Sequence, residues 1–316
     1  MSGLGRVAFL GSGAFGVPLL ERLAPRTDAL LVVSRPDRPA GRGLHARPSP
    51  VAAVSRERGL DLATPDRLRT PEAQAVLAAF RPDGLLLVAY GELVPPTVLA
   101  LAARPPLNVH PSLLPRHRGA APVASTILAG DGEAGVSLMI MVEQIDAGPL
   151  VGQWSIPLTG REQAPELEAR LGELAAVEVP PRLDDWAIGR LEPIPQDEER
   201  ATYRPPFSRQ DGWIDWRQPA QLIDRQVRAL QPWPGAWTTV DGRRLHVRRA
   251  DSVPGVEGMP VGSLLPGTPP QVACGVGALA LDTVQPEGRP PMPAGAWRQG
   301  LSRDHVLLGA VAPGPP

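Results

Sequence analysis

Three polar side chains, Asn108, His110 and Asp146, could together support the attack of an amine on an activated carbonyl. That reaction passes through a tetrahedral oxyanion, to which an asparagine amide and an imidazole N–H can both donate hydrogen bonds. A histidine can also take up the proton that the amine must lose, and a nearby carboxylate can orient the imidazole. This chemistry requires no nucleophilic side chain and no metal ion, so we expect no metal site.

All three residues follow apolar strand patterns. Asn108 and His110 are two residues apart at the end of a short strand, so their side chains point to the same side. Asp146 lies in a turn after the strand-like residues 136–142, and ligands of open α/β sheets bind at the carboxyl ends of the strands. Taken singly, each residue also has an ordinary interpretation, as a turn or cap residue or a solvated histidine. Asn108 is the only asparagine in the chain, which favours a specific role for it.

The composition of the 316-residue chain excludes several other kinds of chemistry. All 32 basic residues are arginines, which excludes a Schiff-base lysine and a phosphate-binding lysine of the Walker type. The single cysteine, Cys274, excludes an internal disulfide framework and a multi-cysteine zinc site. The net charge of −1, the lack of a long apolar stretch and the lack of a signal-peptide pattern predict a cytoplasmic chain with no membrane partner. We expect it to be a monomer.

A glycine-rich turn after the first strand offers a different function. Gly11, Gly13 and Gly16 match the spacing of the dinucleotide-binding fingerprint, and they stand between a strand and a helix. Ser34 and Arg35 follow the second strand in place of the usual acid, which would suit the 2′-phosphate of NADP. An NADP-dependent oxidoreductase is therefore one alternative. The other is that the glycines only allow a tight turn.

The surrounding elements predict the fold class. Up to about residue 190, short apolar strands alternate with helical patterns, which predicts an α/β domain with a doubly wound, mostly parallel, Rossmann-like sheet. Residues 192–210 are rich in proline and charge and predict a linker. The short strand patterns beyond it predict a small β-barrel. We therefore expect two domains, residues 1–205 and residues 206–316.

The longest recognisable motif is residues 108–122, which read NVHPSLLPRHRGAAP. This segment resembles the signature of the folate-dependent formyltransferases. Similar stretches occur at residues 36–43, 48–51, 88–91, 196–198, 201–203, 214–216 and 228–237. The resemblance extends from about residue 6 to beyond residue 250.

The resemblance implies transfer of the formyl group of 10-formyltetrahydrofolate to the amino group of methionine on initiator Met-tRNA. It implies that Asn108, His110 and Asp146 are catalytic and that the C-terminal unit is an OB-like barrel that holds tRNA. The implied folate-binding residues are Val88, Ala89, Tyr90, Ser112, Leu113, Leu114, Pro115, Val142 and Ile145. The expected tRNA-binding residues are Arg38, Arg42, His45 and Arg47, together with Arg244, His246 and Arg248 on one predicted strand face.

The chain departs from the family pattern in a few places. Leu44 and His45 stand where the family usually has lysines that enter the tRNA acceptor arm, and Pro149 replaces an acid. Besides the NADP oxidoreductase, two alternatives stay open. One is a formyltransferase that acts on a small amine such as an amino sugar nucleotide, and the other is an RNA-binding protein without catalytic activity.

Overall fold

A computed structural model describes residues 3–40, 45–255, 258–301 and 306–309, and these residues divide into two compact units. The first unit comprises the described residues up to Val123 together with Glu133–Pro157 and Glu166–Pro205. The second comprises Ala124–Gly132, Leu158–Pro165 and the described residues from Pro206 onward. The sequence-based division at residue 205 placed the two short segments in the first domain, whereas the contacts group them with the second.

The elements before Pro206 alternate between strands and helices. The strands are β1 (Arg6–Gly11), β2 (Ala29–Val33), β3 (Arg38–Ala40), β4 (His45–Arg47), β5 (Asp61–Ala63), β6 (Gly84–Val88), β7 (Leu107–His110), β8 (Arg118–Gly119), β9 (Glu133–Ile140), β10 (Leu150–Pro157) and β11 (Tyr203–Arg204). The helices are α1 (Val17–Leu23), α2 (Pro50–Glu57), α3 (Pro71–Phe80), α4 (Pro96–Leu99), α5 (Pro122–Ala129) and α6 (Ala164–Ala187). None of the helices in the described part of the chain combines the length and the hydropathy needed to cross a bilayer.

The main sheet of the first unit has the strand order β10-β9-β7-β6-β1-β2-β5. Strands β5, β2, β1, β6 and β7 pair in parallel, while β9 and β10 are antiparallel additions at one edge. The predicted α/β fold with a mostly parallel, Rossmann-like sheet is therefore confirmed. Because the chain runs outward from β1 in both directions, the carboxyl ends of β1 and β6 lie at a topological switch point.

The strands of this sheet and helix α6, which covers it, pack closely. The apolar strand β1 is buried from Val7 onward, as a strand covered on both faces should be. In β6, a Cβ on Gly84 would lie 1.8 Å from the ring of Trp186, so only glycine allows α6 to approach this closely. Helix α6 was not predicted, although its buried residues recur every four positions, as expected of one helix face. These residues are Leu167, Leu171, Ala175, Val179 and Leu183.

The second unit is built around an antiparallel sheet. Its strands are β12 (Ala236–Val240), β13 (Arg243–Val253), β14 (Leu264–Leu265), β15 (Gln271–Ala273), β16 (Ala278–Pro286) and β17 (Met292–Pro293), and its helices are α7 (Ala220–Ala229) and α8 (Ala294–Gln299). The strand order is β12-β13-β16-β15-β14, with β17 beside β16. Buried apolar side chains from the strands and from α7 form one core.

The predicted closure of this sheet into a barrel is not confirmed. Among the described strands, β12 and β14 are the two ends of the order and do not pair with each other. Residues 306–309 contact both ends, because Leu264 N donates to the Val306 carbonyl and Gly309 N donates to the Thr239 carbonyl. Leu308 N also donates to the Gly262 carbonyl, and Ser263 and Leu307 form a single β-bridge. The described residues therefore show an antiparallel sheet, and an OB-like barrel stays a prediction.

The prediction of a linker at residues 192–210 is wrong for much of its length. Strand β11 pairs in parallel with β8, and Leu150 and Ile194 exchange backbone hydrogen bonds of 2.8 Å. Gln196 also donates to two backbone carbonyls of the first unit. The proline and charge content indicated an extended segment correctly, but the segment packs on the first unit because its polar groups find partners there.

Candidate active site

Asn108 and His110 lie on β7, at the carboxyl-end edge of the main sheet. Strand β7 pairs with β6 on one side and with β9 on the other, so its backbone is held from both sides. The side chains of both residues are buried, with 7% and 5% of their surface exposed. A rigid central strand therefore presents two hydrogen-bonding side chains, two positions apart, into one region.

Asp146 reaches the same region from the turn between β9 and β10. Asn108 Nδ2 donates to Asp146 Oδ1 at 3.3 Å, and the backbone N–H of Gly119 donates to Asp146 Oδ2 at 2.8 Å. His110 Nδ1 lies 3.7 Å from Asp146 Oδ1. Asp146 has a positive φ of 53°, a conformation that aspartate adopts more readily than most residues. The amide, the imidazole and the carboxylate thus converge on one site.

His110 is oriented by a backbone carbonyl rather than by a carboxylate. Its Nε2 lies 3.0 Å from the carbonyl oxygen of His117. A carbonyl only accepts hydrogen bonds, so Nε2 must carry a proton and donate it. Nδ1 then faces Asp146 from beyond hydrogen-bonding distance. The imidazole is therefore held through Nε2, and Nδ1 is the nitrogen that faces Asp146.

A pyrophosphate would need backbone N–H donors of the glycine-rich turn. Several of these N–H groups already donate to acceptors within the protein. Ser12 N and Gly13 N both donate to the carbonyl of Ala89, at 3.2 and 3.0 Å. The Phe15 N–H donates to the carboxylate of Glu168, and burial raises the pKa of that carboxyl. The Glu168 carboxyl thus takes one of the N–H donors at this turn, where a dinucleotide-binding fold would bind a pyrophosphate. This arrangement contradicts the NADP alternative and supports the interpretation of the glycines as a tight turn.

The predicted folate-binding residues divide into exposed and buried groups. Val142 and Ile145 are 43% and 42% exposed, which is unusual for branched apolar side chains next to a polar site. Ala89 is also exposed, whereas the side chains of Val88 and Tyr90 are buried on either side of it. Burial raises the pKa of the Tyr90 hydroxyl to about 12.

Within the segment 112–115 the side chains alternate between buried and partly exposed. Ser112 and Leu114 are buried, and the Ser112 hydroxyl donates to the Arg116 carbonyl at 2.8 Å. Leu113 and Pro115 are partly exposed. If this segment lines a ligand, the side-chain surface available for contact comes from Leu113 and Pro115.

The predicted tRNA-binding arginines of the first unit lie on a hairpin beside a cavity. Strands β3 and β4 pair so that Arg38 stands directly opposite Arg47. Both side chains line a cavity of about 510 Å³ together with Arg35. Asp37 does not neutralise them, because its carboxylate pairs with Arg56 at 2.9 Å. Arg42 falls outside the described residues, and His45 begins β4.

The predicted tRNA-binding residues of the second unit lie on β13, and two of them already have partners. Arg248 donates to Gln285 Oε1 at 2.6 Å and to Gln231 Oε1 at 3.0 Å. Arg244 lies 4.4 Å from the ring centroid of Trp237. Between them, burial lowers the pKa of His246 to about 4, with a further contribution from the two neighbouring guanidinium groups. This face is basic, but part of its hydrogen-bonding capacity is used within the unit.

The sequence analysis assigned no role to several groups that hold the site together. Gly119 supplies a backbone donor to Asp146, and a Cβ on this residue would lie 2.3 Å from the Arg204 carbonyl. His117 orients His110, and Arg118 and Gln196 connect the site to the segment after α6. Residues 117–119 belong to the recognised motif and Gln196 to a second similar stretch, so the motif was the signal that could have found them.

Comparisons with known proteins agree with this geometry. Residues 5–182 match the formyl transferase family, and residues 206–302 match its C-terminal domain. The chain belongs to the formyl transferase family. It is 44% identical to a methionyl-tRNA formyltransferase of Roseiflexus sp. over 94% of this chain and 92% of the relative. It is 42% identical to that of Thermus thermophilus over 98% of both chains. The family predicted from the motif at residues 108–122 is confirmed.

Solved structures share the fold of this family member at low sequence identity. An N-formyltransferase from Helicobacter canadensis, solved with folinic acid and dTDP-3-aminofucose, has a TM-score of 0.62 at 14% identity and covers 87% of this chain and 98% of its own. HypX from Aquifex aeolicus, solved with tetrahydrofolic acid, has a TM-score of 0.63 at 19% identity. That match covers 93% of this chain and 47% of HypX, so this chain spans about half the length of HypX.

Proposed function

We propose that this chain transfers the formyl group of 10-formyltetrahydrofolate to the amino group of methionine on initiator Met-tRNA. The observation that carries the proposal is the convergence of Asn108, His110 and Asp146 at the end of β7. The full-length similarity to methionyl-tRNA formyltransferases supports the same substrate. A monomeric, cytoplasmic enzyme is part of this proposal.

The residues divide the work of the reaction as follows. The methionine nitrogen adds to the formyl carbon, and the Asn108 amide donates a hydrogen bond to the oxyanion that forms. Nδ1 of His110, which faces the site, takes the proton that the amine loses. Asp146 stabilises the imidazolium that results and keeps the Asn108 amide aimed into the site. The new C–N bond then remains, the bond to N10 of the folate breaks, and N10 receives the proton.

The site residues fit a folate donor. A pterin has a flat ring whose faces are apolar and whose edge carries hydrogen-bonding groups. Val142 and Ile145 offer exposed apolar surface beside Asp146, and Leu113 and Pro115 offer further side-chain surface. These side chains, with the backbone around Ala89, would contact the rings. Ser112 and Leu114, which the resemblance also implied, would support this surface from within the protein.

The tRNA is proposed to contact both units. Arg38 and Arg47 stand opposite each other, and like charges in this arrangement cost free energy unless an anion binds between them. The phosphates of the acceptor end would be that anion, with Arg42 and His45 nearby in the sequence. The second unit, which we propose to be OB-like, would bind tRNA through the face of β13 that carries Arg244, His246 and Arg248.

The proposal is tested by a formylation assay of the purified full-length chain with 10-formyltetrahydrofolate. The acceptors are charged initiator Met-tRNA, the same tRNA without methionine, and an amino sugar nucleotide. We expect formyl transfer to Met-tRNA alone, measured as acid-precipitable formylmethionine. Transfer to the amino sugar nucleotide but not to Met-tRNA would replace the proposal with a small-amine formyltransferase. Binding of both tRNAs without transfer would indicate an RNA-binding protein.

A further inference from the structure

The guanidinium of Arg118 donates four hydrogen bonds next to the catalytic residues. Arg118 is buried, with 4% of its surface exposed. The guanidinium donates to Gln196 Oε1 at 2.7 and 3.1 Å and to both oxygens of Glu198 at 2.7 and 2.8 Å. These hydrogen bonds hold the pKa of Glu198 below its ordinary value. A buried arginine with this partner set fixes the position of Gln196, which lies 78 residues away in sequence.

The amide of Gln196 is oriented by this contact and holds the turn that carries Asp146. A guanidinium only donates, so the amide oxygen must face Arg118 and the nitrogen must point away. That nitrogen donates to the carbonyl of Asp146 at 2.9 Å and to the carbonyl of Gly148 at 2.7 Å. One side chain therefore binds both ends of the left-handed turn that aims the Asp146 carboxylate at Asn108.

The residues around Gln196 also support His110. The brace segment, which we define as Gln196–Arg204, contacts residues 117–120 along its length. Thr202 accepts from the backbone N–H of His117 through Oγ1 and from that of Arg118 through its carbonyl, both at 2.8 Å. His117 in turn presents the carbonyl that orients His110. The brace segment thus contacts the residues that position two of the three catalytic side chains.

We propose that Gln196 is a positioning residue for catalysis, which acts through the turn at Asp146 and is held in place by Arg118. The inference rests on the proposed function for its kinetic test. It assigns a catalytic task to a segment whose composition resembles that of a linker. Gln196 bonds to Arg118 and to the turn at Asp146, and to none of the residues proposed to bind tRNA, so its loss should affect the chemical step rather than the binding of Met-tRNA.

The test compares Gln196→Glu and Gln196→Ala. Gln196→Glu keeps an oxygen for Arg118 but loses both donors to the carbonyls at 146 and 148, whereas Gln196→Ala loses everything. We expect either substitution to lower kcat for Met-tRNA formylation about 10- to 100-fold, because small displacements of a catalytic group have effects of this size. KM for Met-tRNA should change less than twofold. If Gln196→Glu retains the wild-type kcat, the proposal is wrong.

A double-mutant cycle separates positioning from a general loss of structure. If Gln196 acts through Asp146, adding Gln196→Glu to Asp146→Ala should lower kcat by less than a further twofold. If the double variant instead shows the product of the two single reductions in kcat, the two residues act independently and the proposal is wrong. Glu199→Gln is the matched control in the same segment, since this side chain is exposed, while the guanidinium of Arg118 pairs with Glu198 and the turn accepts from Gln196. It should leave kcat unchanged.

Hydrogen exchange tests the same inference without any activity. The Gly119 N–H is bonded to Asp146 Oδ2, so it should exchange at least tenfold faster in Gln196→Glu than in the wild type or in Glu199→Gln. Unchanged exchange at Gly119 would contradict the positioning role even if the activity fell. Conversely, a wild-type chain that formylates no Met-tRNA would refute the proposed function, while the exchange result would still decide the role of Gln196.

Discussion

At the scale of single residues, the site is a set of donors and acceptors with few free choices. His110 Nε2 must donate to a carbonyl, and the Asn108 amide donates toward a carboxylate that also accepts from Gly119. Each of these contacts favours one rotamer or one tautomer, the one that keeps the three side chains directed at the same site. The Asn108 amide, which we propose as the oxyanion donor, is therefore already in place before substrate binds, which is the condition for effective electrostatic stabilisation.

The first prediction follows from the role of Asn108 as a donor. Asn108→Ala should lower kcat for formyl transfer to Met-tRNA by roughly 10²–10³-fold, because the protein then has one oxyanion donor fewer. Asn108→Asp should be as severe, since it places a second carboxylate beside Asp146. Steady-state kinetics with saturating folate measure both. Gln74→Ala, which removes an amide from α3, is the control, and a kcat within twofold of wild type in Asn108→Ala would refute the mechanism.

At the scale of elements, a strand of the main sheet supplies two of the site residues, and a turn and a hairpin next to the sheet supply the others. Strand β7 supplies Asn108 and His110, while the turn after β9 supplies Asp146. The β3–β4 hairpin adds a pair of arginines next to the cavity at the glycine-rich turn. The antiparallel register of β3 and β4 places these two residues directly opposite each other.

The second prediction concerns this hairpin. Replacing both Arg38 and Arg47 with glutamine should raise KM for Met-tRNA by about tenfold or more and leave kcat nearly unchanged. The slope of log(kcat/KM) against log[salt] should also become shallower by about two, roughly one for each phosphate that an arginine no longer neutralises. A matched pair of exposed substitutions, Arg22→Gln with Arg190→Gln, controls for the change in net charge. An equal effect from the control pair would show that the hairpin has no specific role.

At the scale of the whole molecule, two units with different sheet types share one chain. The first has a mostly parallel sheet, and the second has an antiparallel sheet with its own core. Residues 207–316 carry 11 arginines against 9 acids, so the second unit is mildly basic in a chain whose net charge is −1. Within it, burial and then the two neighbouring arginines lower the pKa of His246, which ties the stability of the molecule to pH.

The third prediction is an acid-dependent fall in stability. Because the pKa of His246 is about 4 in the folded chain, the folded state stays unprotonated there between about pH 4 and pH 6.5. The unfolded state binds a proton in the same window, so acid favours unfolding. The free energy of unfolding should therefore fall by up to about 1.4 kcal/mol per pH unit. Calorimetric melts of the wild type and His246→Gln measure this, and equal pH slopes in the two chains would contradict it.

Local patterns in the amino-acid sequence were sufficient to predict much of this protein. The alternation of apolar strands with helices predicted the parallel sheet, and period-two spacing placed Asn108 and His110 on one side of β7. The motif at residues 108–122 predicted the family. These inferences succeed because a strand, a helix or the end of one strand is formed by residues that are close together in the sequence.

Only the tertiary structure decided the contacts between distant segments. Asp146 meets Gly119 across 27 residues and Gln196 across 50 residues, and no local pattern specifies such pairings. The same is true of Glu168, whose carboxylate occupies the glycine-rich turn from α6 and contradicts the dinucleotide-binding alternative. Sheet order and the packing of α6 and the brace segment bring these groups together. A buried polar group needs a partner, and which partner it finds depends on how the chain is folded around it.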